Sequence, residues 1–362
     1  MKTIHTHGGD IYAAAREGGR RLDQLVDFSA SINPLGPSPK AIKAIQAAFP
    51  QILHYPDPHC LALREALADR WHLSPDRFVI GNGSSELIYL LPAVLAFRHA
   101  LVVGPTFSEY ERAVVAAGGR VTRIQAARQE QYQPSVENIL EALHRRRSAI
   151  AALFLCNPNS PTGRALEAAE VLQIARLASA QGLWVIVDET FVDYCEEATV
   201  LPHIKRLPRL LVLRSFTKFY ALPGLRIGYL AGAKAAIAAL RDKQPPWSVN
   251  ALAQEAARAS LQDPRHVRRS LIFMEQERRR LVRDLQTLPG VTLFPSAANF
   301  LLIELPPEVR AGNCVQALRR QGLLIRDCSS VAGLNERTIR VAVRTPGQNR
   351  RLVAALRQWL KR

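Results

Sequence analysis

The apolar positions along the chain follow two rhythms. Through the first two thirds, short runs rich in Val, Ile, Leu and Phe recur: RFVIGNG, HALVVGPTF, GRVTRIQA, SAIAALFLCNP, LWVIVDETF, LLVLRSFTK and LRIGYLAG. Such near-continuous apolar runs predict strands covered on both faces, as in a parallel sheet. Between them, segments such as Ser85 to Ala96, Glu109 to Ala117 and Ala165 to Ala180 carry helix formers at helical apolar spacing, and so predict the crossovers. The fold class is therefore α/β, a mostly parallel central sheet with helices on both faces. After Pro245-Pro246 the pattern changes to long helices, from about Asn250 to Leu288, and then to the short runs VTLFPS, NFLLIEL, GLLIRDC and TIRVAVR. This predicts a smaller α+β domain. The opening, with the turn-rich SINPLGPSP, fits neither rhythm and reads as an arm that packs on the smaller domain or on a partner. The expected division is an arm over 1–40, a large domain over 41–245 and a small domain over 246–362.

Composition narrows the class. The chain has 362 residues, 48% of them hydrophobic and 22% charged, which is the balance of a globular protein with a sizeable core. No apolar run approaches the roughly twenty residues that a membrane span needs, and MKTIHTHGGD lacks the layout of a secretory signal, so a cytoplasmic location is expected. Cys60, Cys156, Cys195, Cys314 and Cys328 form no C-x-x-C pair; free, mostly buried thiols are expected, with no metal site. The net charge of +17 suits either nucleic acid or anionic small molecules drawn into a positive cleft. Its arginines are scattered, as at Arg145 to Arg147 and Arg278 to Arg280, with no helix-turn-helix and no aromatic-interleaved basic strip. Neither a nucleic-acid nor a membrane partner is therefore expected.

The candidate chemistry sits where strands end. Lys218, in Ser215-Phe216-Thr217-Lys218, follows LLVLR, and Asp188 ends LWVIVD. Either one alone reads as a strand-end charge. Together, at the carboxyl edge of an open sheet where ligands bind, they suit pyridoxal phosphate. The lysine would take the cofactor aldehyde, and the carboxylate would keep the pyridine nitrogen protonated. Asn157, after a third strand, offers an amide to the ring oxygen or simply fixes a proline turn. Gly81-Asn82-Gly83-Ser84-Ser85-Glu86 supplies backbone N–H groups and hydroxyls for a phosphate where a strand meets a helix, with Ser215 and Arg226 completing the cradle. Phe107 is either a stacking ring or a core aromatic. Arg326 and Arg340 are costly to bury without an anion, which points to a carboxylated or phosphorylated substrate; Arg344 reads as a surface charge.

These segments, with NPNSPTG, DET, SFTK, LRIGY, SAANF and IRVAVR in this order, resemble the fold-type I pyridoxal-phosphate superfamily, the class I and II aminotransferases, over nearly the whole chain. The resemblance implies a homodimer with active sites at the interface and Tyr55 reaching the neighbouring subunit's cofactor phosphate. Two subfamilies compete, the histidinol-phosphate aminotransferases and the threonine-phosphate decarboxylases of cobalamin biosynthesis. The opening His7-Gly8-Gly9-Asp10, the stretch Asp27 to Gly36 and Ile325-Arg326-Asp327-Cys328 resemble the decarboxylases. That implies decarboxylation of a phosphorylated amino acid contacted by His7, Gly8, Gly9, Asn33, Asn157, Arg326 and Arg340. One departure stands out: where the aminotransferases commonly carry a tyrosine three residues after the aspartate, this chain has Phe191, with Tyr194 the nearest hydroxyl.

Overall fold

The computed structural model describes residues 7–145 and 150–361; Arg146 and Arg147 of the first arginine run lie outside them. The arm holds helix α1 (Ile11–Gly18) and a short strand β1 (Val26–Asp27), followed by α2 (Pro39–Ala48) and α3 (Leu61–Trp71). Ser38 starts α2 by accepting a hydrogen bond from the Ala41 N–H, with Pro39 at the first helical position, so the turn-rich SINPLGPSP ends as a helix cap. The apolar runs then form β2 (Phe78–Asn82), β3 (His99–Gly104), β4 (Arg120–Gln125), β5 (Ala152–Cys156), β6 (Trp184–Asp188), β7 (Leu210–Ser215) and β8 (Ile227–Ala231). Among them lie α4 (Gly83–Val94), α5 (Glu109–Ala116), α6 (Val136–His144) and α7 (Ala168–Ala180), and after them α8 (Lys234–Lys243).

The seven strands β2 to β8 form one sheet in the order β2-β8-β7-β6-β5-β3-β4. Strand β8 is antiparallel to both of its neighbours, and the remaining pairs are parallel. All strands but β8 therefore end at one edge, where β8 begins. Period-two alternation splits each central strand between two apolar layers. Leu153, Leu155, Val185, Val187 and Val212 pack with α3, α6 and α7, while Ala152, Phe154, Ile186, Leu211 and Leu213 pack with α4, α5 and α8. Both faces are covered, which leaves the carboxyl edge as the accessible border.

The rest of the chain comprises α9 (Ala251–Leu261), α10 (Pro264–Gln286), β9 (Thr292–Leu293), β10 (Phe300–Glu304), α11 (Ala311–Arg319), β11 (Leu323–Leu324), β12 (Arg326–Asp327), β13 (Thr338–Ala342) and α12 (Pro346–Leu360). An antiparallel sheet, β12-β13-β10-β9, packs against α10, α11 and α12. The arm joins this layer, because β1 runs parallel to β11 with Val26 opposite Leu323, and Val26 and Phe28 enter the same apolar cluster. One expected boundary shifts. Val249 and the alanines Ala253, Ala256 and Ala257 of α9 pack into the core of the large sheet. Small residues on one helical face let α9 lie close to α2 and α3, so the change of core falls between α9 and α10 rather than at Pro245-Pro246.

A buried ion cluster braces the loop after β6. Arg214, 2% exposed, donates to Glu189 Oε2 at 3.0 Å and to Asp193 Oδ1 at 2.8 Å. Its guanidinium also lies 5.1 Å from the Trp71 ring centroid. Glu189 additionally accepts from Thr199 Oγ1 and the Val200 N–H. Truncating Arg214 would leave two buried carboxylates without their cation. Arg214→Ala is expected to lower unfolding stability by about 3–5 kcal/mol, read as a fall in the urea midpoint with little change of slope.

Candidate active site

A cleft of about 900 Å³ opens at the carboxyl edge of the large sheet and is closed from the other side by the arm and the small sheet. Each strand end contributes to it: Ser84 and Ser85 after β2, Phe107 after β3, Cys156 on β5, Asp188 and Thr190 from β6 onward, Thr217 and Lys218 after β7, and Arg226 before β8. The arm adds His7, Gly8, Ser29 and Ala30, and the small sheet adds Arg326, Cys328 and Arg340. Residues three hundred positions apart thus share one wall.

Lys218 is half-buried, and burial, helped by the nearby charges of Arg340 and Arg226, lowers its ammonium from 10.5 to about 8. An amine must be neutral to attack an aldehyde, and near physiological pH this shift makes the neutral form far commoner than in a lysine at 10.5. Its carbonyl accepts from the Asn33 N–H at 3.0 Å, which fixes the backbone of the loop. Asp188 is 4% exposed, accepts from Tyr110 Oη at 2.6 Å on one oxygen and from the Thr190 N–H at 2.9 Å on the other. Burial still raises its carboxyl above the usual carboxylate range, so a cation brought against it would gain strongly.

A candidate cradle for an anion is built from backbone. Helix α4 starts at Gly83 without a side-chain cap, so its first N–H groups remain to bind an anion. Gly83 has φ +76°, and a Cβ there would collide with the Arg226 guanidinium. Only glycine combines that backbone with that approach. Phe107 lines the cleft, set edge-on to Tyr110 with ring centroids 5.6 Å apart.

The opposite end is cationic. Arg340 donates to Ser160 Oγ at 3.0 Å and to the Ser29 carbonyl at 2.9 Å, over the face of Phe300, while its buried Nε–H has no partner. A buried unpaired guanidinium donor is costly unless an anion arrives. Gly8 lies against the Ser29 carbonyl so closely that any Cβ would clash. Gly9, at φ +96°, donates its N–H to Ser29 Oγ at 2.8 Å. His7 stands at the mouth, with Nε2 2.7 Å from Glu109 Oε1 and its ring 5.5 Å from that of Phe107.

Other expected residues take different work. Asn33 spends its amide on the Phe219 carbonyl and Ser270 Oγ and its oxygen on the Leu35 N–H; its side chain holds the Lys218 loop and does not line the cleft. Asn157 bonds the Leu166 backbone through both ends of its amide, and Ser215 pairs with Thr217 Oγ1, which places Thr217 rather than Ser215 in the wall. Arg344 is no surface charge: it is half-buried, donates weakly to the Ile32 carbonyl, and burial lowers its guanidinium. Tyr55 is 79% exposed and stacks on Trp247 outside the cleft. Tyr194 is half-buried, set edge-on to Phe219 and outside the cleft lining, and Phe191 lines the cleft, so neither brings a hydroxyl to it. Unforeseen in the sequence were Tyr110, Thr217, Ser29 and Glu109. The first of these carries the same apolar helix signal as any core aromatic.

The depressed ammonium has a direct readout. In cofactor-free protein, modification of Lys218 by an amine-reactive reagent, followed by mass spectrometry, should rise with pH about a midpoint near 8, because only the neutral amine reacts. A midpoint at 10.5, the value of an ordinary lysine, would contradict the electrostatic account.

The comparisons with known proteins agree with this geometry. The model for "Aminotransferase class I and II" matches residues 23–356. The chain is 40% identical to the threonine-phosphate decarboxylase of Salmonella typhimurium, covering 98% of this chain and 96% of that one. It is 36% identical to a histidinol-phosphate aminotransferase of Symbiobacterium thermophilum, over 98% and 95% of the two chains. The crystal structure of L-threonine-O-3-phosphate decarboxylase from Porphyromonas gingivalis superposes with a TM-score of 0.82 at 27% identity, covering 92% of this chain and 99% of that one. With a family model spanning most of its length and the lysine and aspartate at the expected strand ends, the chain belongs to the class I and II aminotransferase family.

Proposed function

We propose that this protein decarboxylates L-threonine O-3-phosphate to (R)-1-aminopropan-2-yl phosphate, a step of cobalamin biosynthesis, with pyridoxal phosphate bound through Lys218. The observation that carries the reading is the convergence of His7, Gly8, Arg326 and Arg340 on the cleft that holds Lys218 and Asp188. A doubly anionic amino acid needs that many donors.

The residues present fit the cofactor. Ser84, Ser85, Thr217, Arg226 and the first N–H groups of α4 would hold its phosphate, Phe107 would cover its ring, and Asp188 would hold the proton on the ring nitrogen. When bound, the cofactor supplies the electron sink that accepts the pair left behind by the departing carboxylate. The protein's own part is placement. Tyr110 and the Thr190 N–H each donate to one oxygen of Asp188, which keeps the carboxylate aimed and ionised once a cation faces it. Arg326, Arg340, His7 and the Gly8 backbone bind the substrate's phosphate and carboxylate and set which bond to the α carbon stands free to break. A carboxylate gripped too tightly would be stabilised in the ground state, so the cations must favour the phosphate. Carbon dioxide leaves and one proton takes its place on the α carbon. Lys218, with an ammonium poised near 8, is the group that can hold that proton and deliver it. The missing tyrosine at Phe191 leaves the ring oxygen to be held by other groups, and the second N–H of the Asn157 amide is the one within its loop.

The purified, cofactor-loaded protein, given threonine phosphate and no keto acid, is expected to release carbon dioxide and aminopropanol phosphate catalytically, and Lys218→Ala to abolish release. Transfer of an amino group between histidinol phosphate and a keto acid, without carbon dioxide, would instead assign the aminotransferase activity carried by the relative at 36% identity.

We further propose a homodimer in which Tyr55 reaches the partner's cofactor phosphate. Supporting it, Phe49, Ile52, Leu53 and Tyr55, close together in the chain, are all exposed, with Leu53 80% exposed, and Tyr55 stacks on the exposed Trp247; clustered exposed apolar side chains mark interfaces. Leu53→Glu removes no buried contact within one chain, so it is expected to leave the fold intact. In sedimentation it should convert dimer to monomer and weaken cofactor retention. A variant that stays dimeric would contradict this interface.

A further inference from the structure

Glu109 is an acid set in the wall of a cleft built to receive anions. It lies in the first turn of α5, is 8% exposed and lines the cleft. Three groups meet on it: Tyr89 Oη donates to Oε2 at 2.7 Å, His7 Nε2 lies 2.7 Å from Oε1, and Arg112 Nη1 donates to Oε1 at 3.0 Å. Burial alone would raise its carboxyl, but the hydrogen bonds from Tyr89 and His7 and the charges of His7 and Arg112 hold it below the usual range. Glu109 is therefore a carboxylate, and a carboxylate only accepts hydrogen bonds.

That restricts His7. Its Nε2 must carry a hydrogen toward Glu109, which leaves Nδ1 as the ring's other polar atom, with no partner among the described residues. The dianion of a phosphate monoester is also purely an acceptor. The ring can satisfy carboxylate and phosphate together only with a hydrogen on both nitrogens, as the imidazolium. The ring is also held in place, by Phe107 on one side and by the neighbouring Gly8, pressed on the Ser29 carbonyl, on the other. An acid that would otherwise repel the substrate thus has a use, in orienting a donor.

We propose that Glu109 is a positioning residue that acts through His7, holding its ring as a two-sided donor toward the substrate's phosphate and so favouring phosphorylated over unphosphorylated amino acids. The identity of the substrate rests on the function proposed above; the binding of phosphate at His7 does not.

The test is a double-mutant cycle on cofactor-loaded protein with Glu109→Gln, His7→Ala and the pair, read by calorimetric affinity for the dianion of methyl phosphate and by KM and kcat for threonine phosphate. Gln keeps the shape of Glu109 but not its charge. Each single variant should weaken phosphate binding and raise KM by roughly tenfold or more, the scale of one charge-assisted hydrogen bond, with the larger share of any loss in kcat/KM lying in KM. The double variant should be no worse than His7→Ala alone, since Glu109 has nothing left to act through. Equal losses from Glu109→Gln with and without His7, or phosphate affinity unchanged by it, would overturn the proposal. Should Glu109→Gln fold poorly, Glu109→Asp keeps the charge but draws it back from His7, and in the same cycle a loss that vanishes without His7 supports the proposal while a loss that persists overturns it. If the wild-type protein does not decarboxylate threonine phosphate, the substrate assignment falls, while the phosphate affinities still decide the role of Glu109.

Discussion

Chain direction in the large sheet is the constraint on which the rest of the structure depends. Because β8 alone runs against the others, the ends of β2, β3, β5, β6 and β7 and the start of β8 meet at one edge. Helices cover both faces, so the edge is where backbone N–H groups and polar side chains can face a ligand without breaking the core. Register does the fine placement: Cys156 lies opposite Asp188, Asp188 opposite Leu213, and Ser215 opposite Gly228. Lys218, three residues past the end of β7, and Asp188, at the end of β6, are thereby delivered to the same cleft.

The second constraint is electrostatic. The cleft buries ionisable groups of both signs, and burial pushes each toward its neutral form: Asp188 up, Lys218 and Arg340 down. Each shift is tension that a bound ligand can relieve. A protonated ring nitrogen against Asp188, an aldehyde at Lys218 and an anion at Arg340 would all remove a cost that folding has already imposed. By contrast, the Arg214 cluster with Glu189 and Asp193 satisfies its own charges away from the cleft wall. The adjacent residues Asp188 and Glu189 therefore divide their duties, one toward ligand and one toward scaffold, because successive side chains at a strand end point to opposite sides.

The cleft is completed by parts of the chain that are remote in sequence. Asp27 Oδ1 accepts from Ser29 Oγ and the Ser29 and Ala30 N–H groups. The turn so formed presents Ser29 to Gly9 through its hydroxyl and to Arg340 through its carbonyl. A second such turn, Asp327 with Ser329, follows β12 on the other flank. The arm is thus part of the cleft wall, tied to the small sheet by β1 pairing with β11 and to α5 by His7 and Glu109.

Much of this was legible in the chain. Near-continuous apolar runs broken by polar residues announced the strands, and the same breaks marked the strand ends at which Asp188, Lys218, Ser84 and Ser85 line the cleft, because an apolar run must become polar where it reaches water. What the chain could not show is which polar side chains are consumed by their own loops. Asn33 and Ser215 carry the right chemistry but are spent on local partners, and Asn157 spends its oxygen and one amide N–H on Leu166, whereas Tyr110, Ser29 and Glu109 look like ordinary helix and turn residues until distant segments meet them. The sequence by itself determined the α/β layering, the strand ends and the chemical types available there, since these follow from local periodicity and solvation. Only the tertiary structure decided that α9 belongs to the large core, that Arg344 is partly buried and that Glu109 faces His7, because those depend on contacts between residues a hundred or more positions apart.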